Sequence, residues 1–312
     1  MDPNAELELD YPPFFRRYKS GRIERLRGTD VVPASVDPAT GVDSKDVTID
    51  PITGVSARLY LPLLPSPPSK LPVLVYYHGG GFLIESPFSP PYHTYLTSLA
   101  AKAGIIVVSV HYRLAPEHPI PAAYDDSWEA LKWVVSHSDG GGEAWLAEHG
   151  DFARVFLSGD SAGANIAYNV AMRAGAGVKI EGLALVHPYF WGSEPLGTET
   201  TDPASREFVE RVWRTACPTT EGADDPLINP LAAAAPPLKG LACRRVVVFV
   251  AGKDILKERG RAFYEALVGC GWEGEAELVE DEGMDHVFHL FDPASDEAVA
   301  KMEKMVAFLK GY

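Results

Sequence analysis

Short runs of apolar residues alternate along this chain with longer stretches in which apolar residues recur every third or fourth position. The runs contain β-branched residues, and the five clearest ones end in Ser or His or are followed by Gly or His. Apolar runs without polar alternation are typical of strands that are buried on both faces, as in a parallel sheet. The runs predict strands at residues 73–77, 105–110, 155–158, 183–187 and 246–251, with a weaker one at 276–279.

The stretches between the runs predict helices, because their apolar residues fall on one face of a 3.6-residue period. These stretches cover residues 92–103, 124–136, 162–173, 258–268 and 296–310. Strand and helix alternate, which indicates crossover units and therefore an α/β fold with a mostly parallel central sheet flanked by helices. Residues 47–49 and 55–61 flank a turn and predict an antiparallel pair, and the Pro-rich residues 62–72 predict a loop.

Two segments do not follow this alternation of strand and helix. Residues 1–30 mix aromatic with basic side chains, and residues 189–235 form a long insertion with a predicted helix at 207–215. Ligands bind at the carboxyl edge of open α/β sheets. We therefore expect one domain over residues 1–312, with these two segments as a cap over that edge.

The overall charge narrows the range of partners. The 312 residues carry a formal net charge of −15, which argues against binding to nucleic acid or anionic membranes. Three cysteines (Cys217, Cys243 and Cys270) are too few and too irregularly spaced for a disulfide framework. With no apolar signal segment or run of 18 apolar residues, we expect a cytosolic protein. Nothing in the sequence distinguishes a monomer from a homodimer.

The first candidate for chemistry is Ser161, in the sequence GDSAG at residues 159–163. It follows a predicted strand and precedes a predicted helix. A G-x-S-x-G sequence at such a junction forms a nucleophile elbow, where serine sits on a strained turn and the helix N-terminus favours developing negative charge. The alternative is an ordinary glycine-rich turn between strand and helix.

The second candidate is the sequence HGGGF at residues 78–82, directly after a predicted strand. Successive glycines leave backbone N–H groups free to converge on one atom. This predicts an oxyanion hole from the N–H groups of Gly80 and Gly81, completed by that of Ala162 after the serine. A phosphate-binding turn is the alternative, but no Gly-Lys-Ser/Thr follows.

A nucleophilic serine needs a base and an acid that orients it, in the chain order Ser, Asp or Glu, His. Asp254 follows the strand at 246–251, and His286 follows the last predicted strand. Both therefore fall on the same sheet edge as Ser161. His289 is an alternative base, and Asp225 and Glu258 are alternative acids, but each lies further from a strand end.

The sequence predicts neither a metal site nor a cofactor, since no H-E-x-x-H sequence and no dinucleotide fingerprint occur. We expect a small-molecule ester as the partner. Side chains around the motifs and the cap are candidates for the substrate pocket: Phe82, Asp160, Tyr189, Trp213 and Val287. Other aromatic residues of the two cap segments could also line an acyl pocket: Phe14, Phe15, Phe190 and Trp191.

Three further motifs accompany GDSAG and HGGGF. They are HYRLAPEHP at residues 111–119, DPLINP at 225–230 and HVFH at 286–289. With them, the chain resembles the plant carboxylesterase family, within the hormone-sensitive-lipase-like α/β-hydrolases, over nearly its full length. The resemblance implies that Ser161, Asp254 and His286 are nucleophile, acid and base, that Gly80, Gly81 and Ala162 bind the oxyanion, and that His78 shapes the loop.

The family implies three functions. The first is a serine carboxylesterase that hydrolyses small esters through an acyl-enzyme. The second is a non-hydrolytic receptor of the gibberellin-receptor type, although those receptors replace the histidine that stands here as His286. The third is a dehydratase or lactone-forming enzyme on the same triad, since some relatives convert acylated sugars to lactones. Ser161 and His286 favour the esterase.

Overall fold

The structure, a computed structural model, describes residues 3, 5–65, 69–175 and 177–311. Two sheets lie within these ranges. Three strands form a small antiparallel sheet: β1 (Leu7–Tyr11), β2 (Phe15–Tyr18) and β3 (Ile23–Arg25). Eight form the central sheet: β4 (Asp43–Asp50), β5 (Val55–Leu61), β6 (Leu71–Tyr77), β7 (Ile106–His111), β8 (Gly150–Asp160), β9 (Ile180–Val186), β10 (Cys243–Ala251) and β11 (Glu275–Asp281).

The central sheet has the order β11-β10-β9-β8-β6-β7-β5-β4. Neighbours from β11 to β7 are parallel, and β5 runs antiparallel to both β7 and β4. This confirms the predicted mostly parallel sheet and its antiparallel pair. Every residue of β6 is buried, as its unbroken apolar run predicts for a central strand.

Eight α-helices occur in the described ranges: α1 (Pro90–Ala103), α2 (Ala122–Val135), α3 (Ala144–His149), α4 (Ala162–Ala174), α5 (Pro203–Ala216), α6 (Lys257–Gly269), α7 (Phe288–Phe291) and α8 (Asp296–Lys310). The five predicted core helices are confirmed. The short helices α3 and α7 were not predicted, because one or two turns contain too few residues to show a 3.6-residue apolar period. None of these helices is long and apolar enough to cross a membrane.

The N-terminal segment owes its shape to buried aromatic side chains. Tyr11, Phe14 and Phe15 are buried, whereas Arg16 and Arg17 of β2 are only partly buried. Phe14 stacks on Phe208 of α5, with ring centroids 6.1 Å apart. The N-terminal segment and the insertion therefore meet each other beside the sheet, as expected for two parts of a cap.

Helix α5 begins four residues earlier than predicted. Asp202 precedes it, and its carboxylate accepts a hydrogen bond of 2.8 Å from the N–H of Ser205, while Pro203 occupies the first helical position. Aspartate as cap followed by proline is a strong start signal that the apolar periodicity alone does not contain.

The predicted loop at 62–72 ends two residues early, since Leu71 and Pro72 belong to β6; part of it, residues 66–68, lies outside the described residues. The three cysteines are free. The division into one domain with two cap segments stays a prediction.

Parallel strands end on a common edge, and this edge carries the candidate residues. The loop with Gly80 follows β6, Ser161 follows β8, Asp254 follows β10 and His286 follows β11. Four separate stretches of chain are therefore brought together by the strand order.

Candidate active site

Ser161 lies on a strained turn between β8 and α4, with φ of 52° and ψ of −117°. Its N–H donates to the carbonyl of Val186 at 2.9 Å, and its carbonyl accepts from the N–H of Tyr189 at 3.0 Å. A non-glycine residue at positive φ costs on the order of 1–3 kcal/mol and persists only where its surroundings hold it. Its side chain makes no helix-capping hydrogen bond, so the hydroxyl is left for chemistry in the adjoining cavity.

Gly80 and Gly81 form the loop opposite Ser161, with φ of 95° and 64°. No described residue accepts a hydrogen bond from either N–H group. A Cβ on Gly80 would overlap the carbonyl oxygen of Ile84, so only glycine fits this conformation. Two unpaired donors beside the cavity are what an oxyanion hole requires.

Asp160 holds the glycine loop through its buried carboxylate. Its carboxylate accepts hydrogen bonds from the hydroxyls of Tyr76 and Tyr92, both at 2.9 Å, and from the N–H of Gly79 at 3.1 Å. Burial raises the pKa of Asp160 to about 6, although the two tyrosine hydrogen bonds oppose that shift. The carboxylate is therefore committed to holding the glycine loop in place.

His78 packs behind the same loop. Its ring stacks on Tyr112 with centroids 4.3 Å apart, and the Tyr112 hydroxyl donates to the His78 carbonyl at 2.6 Å. Burial lowers the pKa of His78 to about 3, which keeps the ring neutral. This placement agrees with the expected loop-shaping role of His78.

His286 and Asp254 form a direct pair, with 2.6 Å between His286 Nδ1 and Asp254 Oδ2. The other oxygen of Asp254 accepts from the N–H of Leu256 at 2.9 Å, so the buried carboxylate is oriented on both sides. Burial would raise the pKa of Asp254, but the charge and hydrogen bond of His286 outweigh it and lower that pKa. Burial would lower the pKa of His286, but Asp254 outweighs it and raises that pKa.

The alternative residues lie elsewhere. The His289 ring is buried against Tyr95, with centroids 4.9 Å apart, and does not line the cavity. Asp225 accepts hydrogen bonds from Thr220 and the N–H of Leu227 within its own loop. Glu258 accepts a hydrogen bond from Thr198. The structure therefore pairs His286 with Asp254 and leaves the three alternatives apart.

A cavity of about 600 Å³ adjoins these residues. Its apolar wall comes from both cap segments, from the glycine loop and from the chain after Asp254 and His286: Phe14, Ile84, Phe208, Val209, Val212, Ile255, Leu256, Leu290 and Phe291. Its charged lining comes from Arg27, Glu85, Lys253 and Asp285, besides Asp160, Asp254 and His286. Most of these residues were not predicted, because they are scattered along the chain and carry no local motif.

The five candidate pocket residues divide into two groups. Asp160, Tyr189 and Val287 line the cavity. Phe82 and Trp213 do not, which corrects the sequence-based expectation for them. Both are buried, and their rings contact each other at a centroid distance of 6.0 Å. Both rings pack into the core behind the wall, where Phe82 also contacts Tyr124 and Tyr189.

Three further aromatic candidates, Phe15, Phe190 and Trp191, are also buried outside the cavity wall. Phe14 lines the cavity as the sequence suggests.

Among the described residues, one group has atoms placed to bind a metal ion: His187, Asp254 and His286, whose ligand atoms lie within 4.8 Å of one another. Two of the three are already hydrogen-bonded to each other, and His187 Nδ1 accepts from the N–H of Val287 at 2.8 Å. Their arrangement is therefore accounted for without a metal. The predicted strand at 183–187 already put His187 at this edge of the sheet, but the sequence contained no signal for its contact with Val287.

The raised pKa of His286 has a testable consequence. If His286 is the base predicted from the sequence, only its neutral imidazole can accept a proton from Ser161, so turnover is expected to fall as pH drops through the pKa of His286. Because Asp254 raises that pKa, we expect the acid limb of kcat/KM to lie above the ordinary histidine value of about 6.5. Asp254→Asn is expected to move the limb to lower pH as well as to lower the rate. An unmoved limb in that variant would contradict the assigned cause.

Comparison with known proteins agrees with this architecture. Residues 74–290 match the alpha/beta hydrolase fold family. Tuliposide A-converting enzyme 1 of Tulipa gesneriana is 63% identical over 317 residues, covering 98% of this chain and 79% of the relative. Probable carboxylesterase 2 of Arabidopsis thaliana is 46% identical over 307 residues, covering 97% and 96%. A hyperthermophilic esterase of Pyrobaculum calidifontis superposes with a TM-score of 0.72 at 29% identity, covering 86% and 85%.

Fold and comparisons together define an enzyme that acts on carboxylic esters. The chain belongs to the alpha/beta hydrolase fold family, and its relatives are plant carboxylesterases and tuliposide-converting enzymes. The predicted fold class and family resemblance are thereby confirmed.

The expectation of a cytosolic protein is contradicted. Tuliposide A-converting enzymes at 60–63% identity are named as chloroplastic or amyloplastic. Composition and the lack of an apolar signal segment do not carry this information, because plastid targeting does not depend on an apolar segment.

Proposed function

We propose that this enzyme opens carboxylic esters through an acyl-enzyme on Ser161. The Ser161 hydroxyl attacks the ester carbonyl while His286 takes its proton, and Asp254 holds the imidazole and stabilises its cation. The N–H groups of Gly80, Gly81 and Ala162 bind the oxyanion of the tetrahedral intermediate. The alcohol then leaves with the proton from His286. The hydrogen bond of 2.6 Å between His286 and Asp254 supports this order of events.

The second half-reaction decides the product. If water attacks the acyl-enzyme, a carboxylic acid is released. If the acyl chain carries its own hydroxyl within reach, that hydroxyl can attack instead, its proton passes to His286, and a lactone leaves as Ser161 is regenerated. A well-placed internal group reacts with an effective molarity on the order of 10⁵ M or more, so it competes well with water.

We further propose lactone formation from acylated sugars as the main reaction. The observation that carries this proposal is the 63% identity, over 98% of the chain, to tuliposide A-converting enzymes. Members of the plant carboxylesterase family that this chain resembles include enzymes that convert acylated sugars to lactones. Hydrolysis of small esters is the second candidate, favoured by the 46% identity to a probable carboxylesterase over nearly both full lengths.

The product distinguishes the two reactions. We expect a γ-hydroxyacyl glucose ester, incubated with the enzyme in H₂¹⁸O, to give lactone without ¹⁸O. A matched acyl glucose ester that lacks the hydroxyl provides the control, and its acid should contain one ¹⁸O atom. Mass spectrometry of both products measures the partition. Labelled hydroxy acid as the main product from the first ester would contradict lactone formation and leave hydrolysis as the function.

A receptor on the same fold is the remaining alternative. Such a protein needs no working base, whereas this structure pairs His286 with Asp254 beside Ser161. Rapid labelling of Ser161 by a fluorophosphonate is expected for the enzyme, and the absence of labelling would favour the receptor.

A further inference from the structure

A second histidine lies directly behind the His286–Asp254 pair. His187 follows β9 and is 1% exposed, and its ring centroid is 5.8 Å from that of His286. Its backbone is held by a hydrogen bond of 2.9 Å from its N–H to the carbonyl of Phe249 on β10. The ring therefore projects from the rigid centre of the sheet toward the loop that carries His286.

The contact between His187 and that loop is specific. His187 Nδ1 accepts a hydrogen bond of 2.8 Å from the N–H of Val287, the residue that follows His286. Val287 has φ of 48° and ψ of 32°, a left-handed conformation that a β-branched residue adopts only under constraint. The hydrogen bond that the Val287 N–H donates to His187 supplies that constraint at the residue next to His286.

The protonation state of His187 suits this role. An Nδ1 that accepts a backbone N–H carries no proton, so the neutral ring is protonated on Nε2. Burial lowers the pKa of His187 well below its ordinary value, and the charges of Lys301 and His286 act in the same direction. The Nε2 atom lies 3.9 Å from Asp281 Oδ2, too far for a hydrogen bond, and has no hydrogen-bond partner among the described residues.

Titratable groups surround His187 from several elements. They are Asp254 after β10, Asp281 of β11, His286 before α7, His289 of α7 and Lys301 of α8. Within the described residues, no hydrogen-bond partner contacts the side-chain nitrogens of His289 or Lys301. The hydrogen bond to Val287 is thus the direct link between this buried cluster and the loop of the base.

We propose that His187 is a positioning residue for the catalytic base. By holding the backbone of Val287, it fixes the direction in which the His286 side chain leaves the loop, so that Nδ1 meets Asp254. This inference rests on the proposed function, in which His286 is the base. It adds a fourth side chain to the triad, one that touches neither substrate nor Ser161.

Two substitutions of equal shape test the role. The backbone of His187 has φ of 47°, a left-handed value that asparagine tolerates. His187→Asn keeps an acceptor oxygen near the position of Nδ1, whereas His187→Leu has the same outline as asparagine without an acceptor. We expect His187→Leu to lower kcat by roughly ten- to a hundredfold with KM little changed, because a base displaced by even 1 Å loses about this much rate. His187→Asn should retain most of kcat. If the leucine variant does not fold, His187→Ala removes the same acceptor with less backbone strain.

A readout independent of turnover separates this inference from the proposed function. In protein labelled with ¹⁵N-histidine, the Nδ1–H signal of His286 is identified by its loss in His286→Gln. We expect that signal to persist in His187→Asn and to broaden or vanish in His187→Leu, with a fall in the pKa of His286. Equal Nδ1–H signals in the wild type, His187→Asn and His187→Leu would overturn the positioning role, even if the wild type cleaves esters. If the signal is lost in His187→Leu and kept in His187→Asn, but the wild type cleaves no ester, the positioning role is supported and the proposed function is contradicted.

Discussion

Ser161→Ala is expected to lower ester turnover by about a thousandfold or more, because the variant lacks the hydroxyl that we propose forms the acyl-enzyme. Substrate affinity should change little, since the oxyanion donors and the apolar wall remain. A p-nitrophenyl ester series from acetate to decanoate measures the loss, and its chain-length profile also sizes the acyl part of the cavity.

Ser158→Ala is the matched control for this variant. Ser158 lies three residues earlier on β8, is fully buried, and its hydroxyl has no hydrogen-bond partner among the described residues. Its loss should leave turnover unchanged. If Ser161→Ala retained the activity of Ser158→Ala, the nucleophile would have to be a different group. A wild type that cleaved none of the esters would instead favour ligand binding or a narrower reaction.

Gly163→Ala is expected to destabilise the fold by about 3 kcal/mol or more, or to prevent folding. Gly163 lies in the first turn of α4, where a Cβ would overlap the carbonyl oxygen of Tyr77 and lie 2.6 Å from that of His78. Both neighbours are backbone atoms at the end of β6, so relief requires strand and helix to separate. That movement would also displace the glycine loop from Ser161.

Urea unfolding measures this effect, with Gly269→Ala as control. Gly269 is the last residue of α6, and a Cβ there meets no atom within 4 Å. Alanine at that position should leave stability unchanged or raise it by up to about 1 kcal/mol, as helix propensity predicts. Equal unfolding midpoints for Gly163→Ala and wild type would contradict the close approach of α4 to β6.

The two variants test different properties of one elbow. We propose that Ser161 contributes the reacting atom, whereas Gly163 lets α4 approach β6, the strand that precedes the glycine loop. The first variant should fold and fail to react, whereas the second should fail mainly in stability. Measuring both therefore separates loss of chemistry from loss of the scaffold.

By itself, the sequence determined the alternation of strand and helix, the parallel sheet and the edge on which Ser161, Asp254 and His286 lie. It could do so because these features depend on local patterns: apolar runs for buried strands, periodicity for helices, and glycines where backbone must approach closely. The carboxyl ends of parallel strands lie on one edge of the sheet. The predicted end of each strand was therefore enough to place Ser161, Asp254 and His286 on the same edge.

Only the tertiary structure decided what surrounds those residues. Phe14 and Phe208 meet although 194 positions separate them, and Phe82 and Trp213 turn out to pack behind the cavity rather than line it. His187 and Val287 are paired across 100 positions. Such contacts depend on how helices and loops pack after the sheet has formed. No local pattern encodes them, since the same buried aromatic or histidine suits a core, a cavity wall or a support for a catalytic base.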